Sequence, residues 1–117
     1  MKKETINPII ITYEGVEYTL EFDNESAVFT NRQGFKPTDI FDNIEEMLPI
    51  LFYGAFRKHH KNVARSQTDK ILAEADGLPK SVLNQLMELY AVPRNSLIRD
   101  DDTDEETAKN RKVTFQF

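Results

Sequence analysis

Cysteine is absent from this chain of 117 residues, and only four positions are glycine. Without thiols there is no disulfide framework, no thiolate zinc site and no cysteine nucleophile. So little glycine leaves few of the tight backbone turns from which phosphate cradles are built, and no G-x-S-x-G, Walker or H-E-x-x-H motif occurs. Long apolar runs are lacking as well. The longest uncharged stretch, Met47 to Phe56, is about half the length of a membrane-spanning helix. The charged start Met1-Lys2-Lys3-Glu4 is followed only by Ile9-Ile10-Ile11, far shorter than a secretory h-region. These absences lead us to expect a soluble cytoplasmic protein that is not an enzyme, binds no metal or cofactor and does not associate with membranes.

What is present suffices for one core. Apolar residues make up 39% of the chain and charged residues 30%. A domain of this size buries roughly two-thirds of the surface that its unfolded chain exposes, so a second core of comparable size is not expected. The net charge of −5 disfavours a dominant nucleic-acid role, which needs a basic field. The charge is unevenly placed. Arg57, Lys58, Lys61 and Arg65 form a basic patch, and Asp100, Asp101, Asp102, Asp104, Glu105 and Glu106 form an acidic run.

The N-terminal part alternates. Val16, Tyr18, Leu20 and Phe22 share one face of an extended strand, with Glu17, Thr19 and Glu21 on the other. Ile9–Glu14 supplies a β-branched partner strand, and Glu14-Gly15 falls where a tight turn needs positive φ, so the spacing predicts an antiparallel hairpin over 9–22. A lone hairpin is barely stable, and helices must cover its apolar face. Asp23-Asn24 offers caps for a helix over about 26–33 that Gly34 stops. Asn43 with Glu46 has capping-box spacing, and Ile44, Met47, Leu48, Leu51, Phe52, Ala55 and Phe56 recur at helical intervals over about 44–60. Pro49 must kink that helix if Asn43 caps it. A start near Leu48, with Pro49 in the first turn, avoids the conflict and is the preferred reading. Ser66 and Asp69 open a helix over about 67–76 that Gly77 ends. Pro79 opens the last one, about 79–91, with Pro93 just beyond it. The fold class expected is α+β, a hairpin packed on about four helices in a single domain over 1–98. An acidic flexible tail is expected over 99–117, in which the alternation at 112–117 has the pattern of a strand.

Each candidate for chemistry has a plainer explanation. Neighbouring His59 and His60 point about 100° apart on a helix and cannot chelate one metal as an i, i+4 pair does. They suit an exposed helix end. Asp100, Asp102 and Asp104 match the opening of a calcium loop, but Glu105 stands where that loop needs glycine and Arg111 where it needs glutamate. The basic patch from Arg57 to Arg65 lacks aromatic interleaving or a DNA-binding motif, and a small nucleic-acid-associated regulator is the alternative it leaves open. The block Leu48 to Phe56 is different, because it has almost no polar face. Such a helix is either central to the core or covered on one side by a partner. On the second reading Leu51, Phe52, Tyr53 and Phe56, with Arg57 and Lys58, form a protein-binding surface, and Phe56→Asp weakens partner binding in a folded monomer.

The run Leu48-Pro-Ile-Leu-Phe-Tyr-Gly-Ala-Phe-Arg-Lys-His-His-Lys-Asn-Val63, together with Gln33-Gly34-Phe35, Leu86-Met-Glu-Leu-Tyr90 and the strand Tyr18 to Phe22, resembles the tail assembly chaperones of long-tailed phages and prophages of Gram-positive bacteria. The resemblance covers about Val16 to Pro93. It implies a non-enzymatic protein that binds the tape measure protein, keeps it soluble and helps recruit tail tube subunits, making the major tail tube protein a second partner. It also implies a homo-oligomer, absence from the finished virion, and a short form that is accompanied in such families by a longer frameshifted one. It carries no catalytic residues.

Overall fold

The N-terminal alternation closes into a hairpin. Strand β1 (Ile9–Tyr13) pairs antiparallel with β2 (Val16–Leu20), with Ile9 opposite Leu20 and Tyr13 opposite Val16. Glu14 at φ 49° and Gly15 at φ 79° are both left-handed, as a two-residue type I′ turn requires. The computed structural model describes residues 6–95. The acidic run, the calcium-loop positions and the strand pattern at 112–117 lie outside the described residues.

Helix α1 (Asn24–Arg32) starts where Asp23 caps it. The Asp23 carboxylate accepts the Ser26 N–H at 2.8 Å, and the Ser26 hydroxyl accepts the Asp23 N–H at 2.8 Å, a reciprocal capping box. Gly34, at φ 105°, lets the chain leave the helix. After a 3-10 turn at Pro37–Asp39 comes α2 (Ile44–Phe56). The preferred start near Leu48 is therefore corrected, since the helix begins at Ile44 and carries Pro49 in its interior. What Pro49 removes is the donor to the Glu45 carbonyl, in the exposed first turn where water can replace it. Asn43 precedes the helix, but its amide donates to the Glu46 carboxylate at 3.1 Å rather than capping backbone.

Helix α3 (Arg65–Glu74) begins before the expected Ser66 cap. Ala64 holds the cap position, without a side-chain bond. Asp76 (φ 55°) and Gly77 (φ 94°) turn the chain into α4 (Lys80–Asn95), where the Pro79 carbonyl accepts the N–H groups of Val82 and Leu83. Pro93, expected beyond the end of α4, lies within it and is buried. Proline costs a helix only the donor to the carbonyl four residues back and some room beside it, which a last turn can tolerate.

Helix α2 is the centre of the molecule, in contact with α1, α3, α4 and β2. The core runs unbroken from Leu20 and Phe22 through Phe35, Leu51, Phe52 and Phe56 to Leu86 and Tyr90. Tyr90 sits edge-on to Phe22 and Phe35, at 5.4 and 4.9 Å between ring centres, tying α4 to the hairpin exit and to the chain after α1. Where α1 crosses α2, Gly54 faces Thr30, and both are buried. The architecture is α+β, an antiparallel hairpin followed by four helices.

Candidate protein-binding surface

Three of the six residues expected to meet a partner are interior. Leu51, Phe52 and Phe56 are almost completely shielded. Phe56 packs against Tyr18 at 5.4 Å and Phe52 at 5.2 Å between ring centres. A helix apolar all round is covered here by its own chain, so the assignment of these three to a partner surface is corrected. With it goes the expectation that Phe56→Asp leaves a folded monomer. Tyr53, Arg57 and Lys58 stay at the surface, half-buried. The Tyr53 ring lies 5.4 Å from Phe29, and the Arg57 guanidinium rests 4.2 Å over the Phe29 ring while its Nη2 meets Glu25 at 2.8 Å.

The basic patch is largely neutralised within the fold. Arg57 pairs with Glu25, Lys58 with Glu21 at 3.1 Å, and Arg65 with Asp69 at 3.2 Å. His59 also reaches Glu21, at 2.8 Å. The hydrogen bond from His59, with Lys58 beside it, holds the Glu21 carboxyl below its ordinary value. A phosphate field needs cations that are free of carboxylates, so this arrangement favours anchoring the end of α2 to the hairpin exit and to α1, and bracing α3, over nucleic-acid contact. His60 is not at an exposed helix end as expected. It is half-buried, edge-on to Tyr18 at 5.2 Å, and its Nε2 accepts the Thr19 N–H at 2.9 Å. Burial, with His59 beside it, pushes its pKa down.

The surface suited to a partner lies elsewhere. Helix α1 inverts the usual amphipathic pattern, because the polar Ser26 and Thr30 are fully buried and Val28 is 49% exposed. Ser26 and Thr30 can go inside because their hydroxyls are satisfied locally, Thr30 donating to the Ser26 carbonyl at 2.7 Å. Small side chains on that face let α1 lie close against Gly54. Val28 is left to form, with Ala27, Pro37 and Tyr90, the apolar lining of an open groove of about 630 Å³ between α1, the 3-10 turn and the end of α4. Arg32, Lys36 and Arg94 rim the groove, and no carboxylate among the described residues pairs with any of the three. Asn24, Val28 and Arg32, one turn apart along α1, also line a shallower depression on the Arg57 side. Phe41, at 70% exposure just before α2, is a second apolar group turned to solvent. Sequence reading passed over this surface because Val28 sits among neighbours that look like core. The available signal was the pair of small polar residues Ser26 and Thr30, four apart, matched by a glycine in the next apolar helix.

The groove offers apolar contact and positive charge but no reactive constellation. No group of three or more His, Cys, Asp or Glu among the described residues is placed to hold a metal ion. No helix among them is long and apolar enough to cross a membrane. The displaced carboxyls have structural partners. Asp23 is raised by burial, but the Ser26 N–H and hydroxyl outweigh this and hold it below its ordinary value. The profile of a family described as a domain of unknown function (DUF5055) matches residues 1–117. No curated protein and no solved structure matches.

Proposed function

We propose that this chain, which belongs to the DUF5055 family, is a non-enzymatic tail assembly chaperone of a long-tailed phage or prophage, acting in the host cytoplasm. In this reading it binds the tape measure protein, keeps that long helical chain soluble and helps recruit tail tube subunits, and it self-associates along its partner. Two things support the proposal. One is the resemblance carried by Leu48 to Val63. The other, which carries the argument at the level of residues, is the groove between α1 and α4. A tape measure exposes long apolar stripes on helices, and an apolar groove with a charged rim is the complement of an amphipathic helix. Val28 and Ala27 meet the stripe. Arg32, Lys36 and Arg94 meet acidic side chains beside it and select register.

The test begins with the genes beside the coding region. The proposal expects a slippery heptamer with an overlapping −1 frame, followed by a very long gene for a helical protein. Co-expression with that product is expected to move it from the insoluble to the soluble fraction. A Val28→Asp, Arg32→Glu chain is expected to melt normally and to lose this effect. A wild-type chain that leaves the long protein insoluble overturns the proposal.

A further inference from the structure

We infer that two copies of this chain pair through the outer edges of their β1 strands, joining two hairpins into one four-stranded antiparallel sheet about a two-fold axis at Ile11. The two edges of the hairpin are treated differently. Along β2 the outward N–H groups are taken up by α2 and the turn after it, Thr19 donating to His60 Nε2 at 2.9 Å and Glu21 to the Ala55 carbonyl at 3.0 Å. Along β1 nothing comparable happens among the described residues. Tyr13–Val16, Ile11–Tyr18 and Ile9–Leu20 are the pairs that exchange bonds around a two-residue turn, so the backbone groups of Ile10 and Thr12 point away from β2. No described residue bonds to them. The strand Ile9-Ile10-Ile11-Thr12-Tyr13 carries no charge and no proline, the features that keep an open edge from pairing. Ile10 is 52% exposed on it.

A second copy is the occupant because this edge is complementary to itself. Around an axis at Ile11, Ile10 of each copy stands opposite Thr12 of the other, and every N–H and C=O left free on those residues is satisfied. Moving the axis fails on either side. Centred at Ile10, it sets Pro8, which has no N–H, opposite Thr12. Centred at Thr12, it sets Glu14, whose positive φ takes it out of the strand, opposite Ile10. On the core-facing side the row Tyr18, Ile11, Ile11, Tyr18 then runs unbroken across the axis, and on the outer side Ile10 and Thr12 cover each other. Glu17, the carboxylate on that outer face, is three strand spacings from its counterpart, about 14 Å or more, beyond the screening length of physiological salt. Because the β2 edge is already taken up, pairing closes at two copies and does not propagate into a fibre. The pairing specifies the self-association proposed above, but it rests on the hairpin alone and uses no residue that lines the groove. A dimer holds two grooves, and joint attachment to one long partner strengthens binding.

Sedimentation velocity and amide hydrogen exchange by NMR, both on the full chain, test it. Between micromolar and millimolar concentration the wild-type protein is expected to pass from one chain to two. Over the same range the Ile10 and Thr12 amides are expected to slow by about tenfold or more, while the turn amide of Gly15 does not change. Ile10→Lys and, separately, Thr12→Pro are expected to stay monomeric with the Leu51 and Leu86 amides still protected, since Ile10 is exposed and the Thr12 N–H serves no bond within the hairpin. The Val28→Asp, Arg32→Glu chain, altered in the groove, is expected to dimerise like wild type. A wild-type chain that is monomeric at millimolar concentration overturns the inference and leaves the groove reading standing. Dimers that survive both β1 substitutions overturn it, as do dimers whose Ile10 and Thr12 amides exchange as fast as in the monomer. Loss of the dimer in the groove variant, or growth beyond two copies, overturns the two-fold pairing at β1. Because the exchange comparison is made on the wild-type chain, it decides the matter even where a variant unfolds.

Discussion

Replacing Gly54 with alanine would, in an ordinary exposed helix, stabilise the chain by about 1 kcal/mol, because alanine is the better helix former. The crossing of α1 over α2 reverses that sign. A Cβ built at Gly54 would stand 1.8 Å from the Thr30 hydroxyl oxygen and 2.8 Å from each of Thr30 Cβ and Cγ2. Rotating Thr30 does not clear the site, because its own Cβ is among the clashing atoms and its hydroxyl is bonded to the Ser26 carbonyl. The helices must separate by more than 1 Å, which loosens Phe29, Tyr53 and the Arg57–Glu25 pair along the same seam. Overpacking of this kind costs about 1–3 kcal/mol and sometimes more. The 1.8 Å contact places the cost at the upper end of that range, and with the propensity gain subtracted we expect Gly54→Ala to destabilise by about 2 kcal/mol, a fall of about 8–16 °C in melting temperature for a domain of this size. Urea unfolding measures the free energy, and a double-mutant cycle locates its source. Thr30→Ala alone gives up a buried hydrogen bond and a methyl group, about 1–2 kcal/mol. The pair Gly54→Ala, Thr30→Ala should cost clearly less than the sum of the two. A Gly54→Ala protein as stable as wild type, or strictly additive costs, would refute the close-packed crossing.

Stability should begin to fall as the pH drops below about 6.5. Burial, with His59 beside it, holds the folded pKa of His60 below the ordinary 6.5, so the unfolded chain binds the proton first; protonation also removes the acceptor of the Thr19 N–H. The loss starts near 6.5 and continues down to the folded value. Melting curves across this range should slope for wild type and flatten for His60→Gln. Asp23→Ala removes the acceptor of the capping box and should cost about 1 kcal/mol, read from urea midpoints. Phe56→Ala should cost about 3–5 kcal/mol, and Phe56→Asp should leave no cooperative transition, since the position has no access to water. A folded Phe56→Asp monomer by circular dichroism would contradict the placement of α2.

The elements were legible where a local rule stood alone. Glu14-Gly15 between two alternating segments gave the hairpin turn, and Gly34 and Gly77 gave the helix ends, because positive φ leaves few other choices. Two rules in competition were harder. Pro49 argued for a late helix start and lost, since one missing donor at an exposed turn costs less than is gained by burying Met47 on the same helix as Ile50 and Leu51. Pro93 misled in the same way at the other end of the chain. The site was less legible than the fold. An apolar helix announces burial but not what covers it, and only the tertiary arrangement shows that α1, α3, α4 and β2 suffice for Leu51, Phe52 and Phe56. Arg57 and Lys58 looked free until Glu25 and Glu21, over thirty residues away in sequence, came beside them. Val28 could be placed outside only once Ser26 and Thr30 were known to be inside.

The central claim is that this protein binds a long helical partner through the groove between α1 and α4. It is tested most directly by hydrogen exchange on the purified complex with the product of the neighbouring long gene. The account predicts new protection over Asn24–Arg32, Lys36–Thr38 and Tyr90–Arg94, absent from the Val28→Asp, Arg32→Glu chain. Failure to form a complex, or a footprint confined to surfaces away from these three segments, would contradict it.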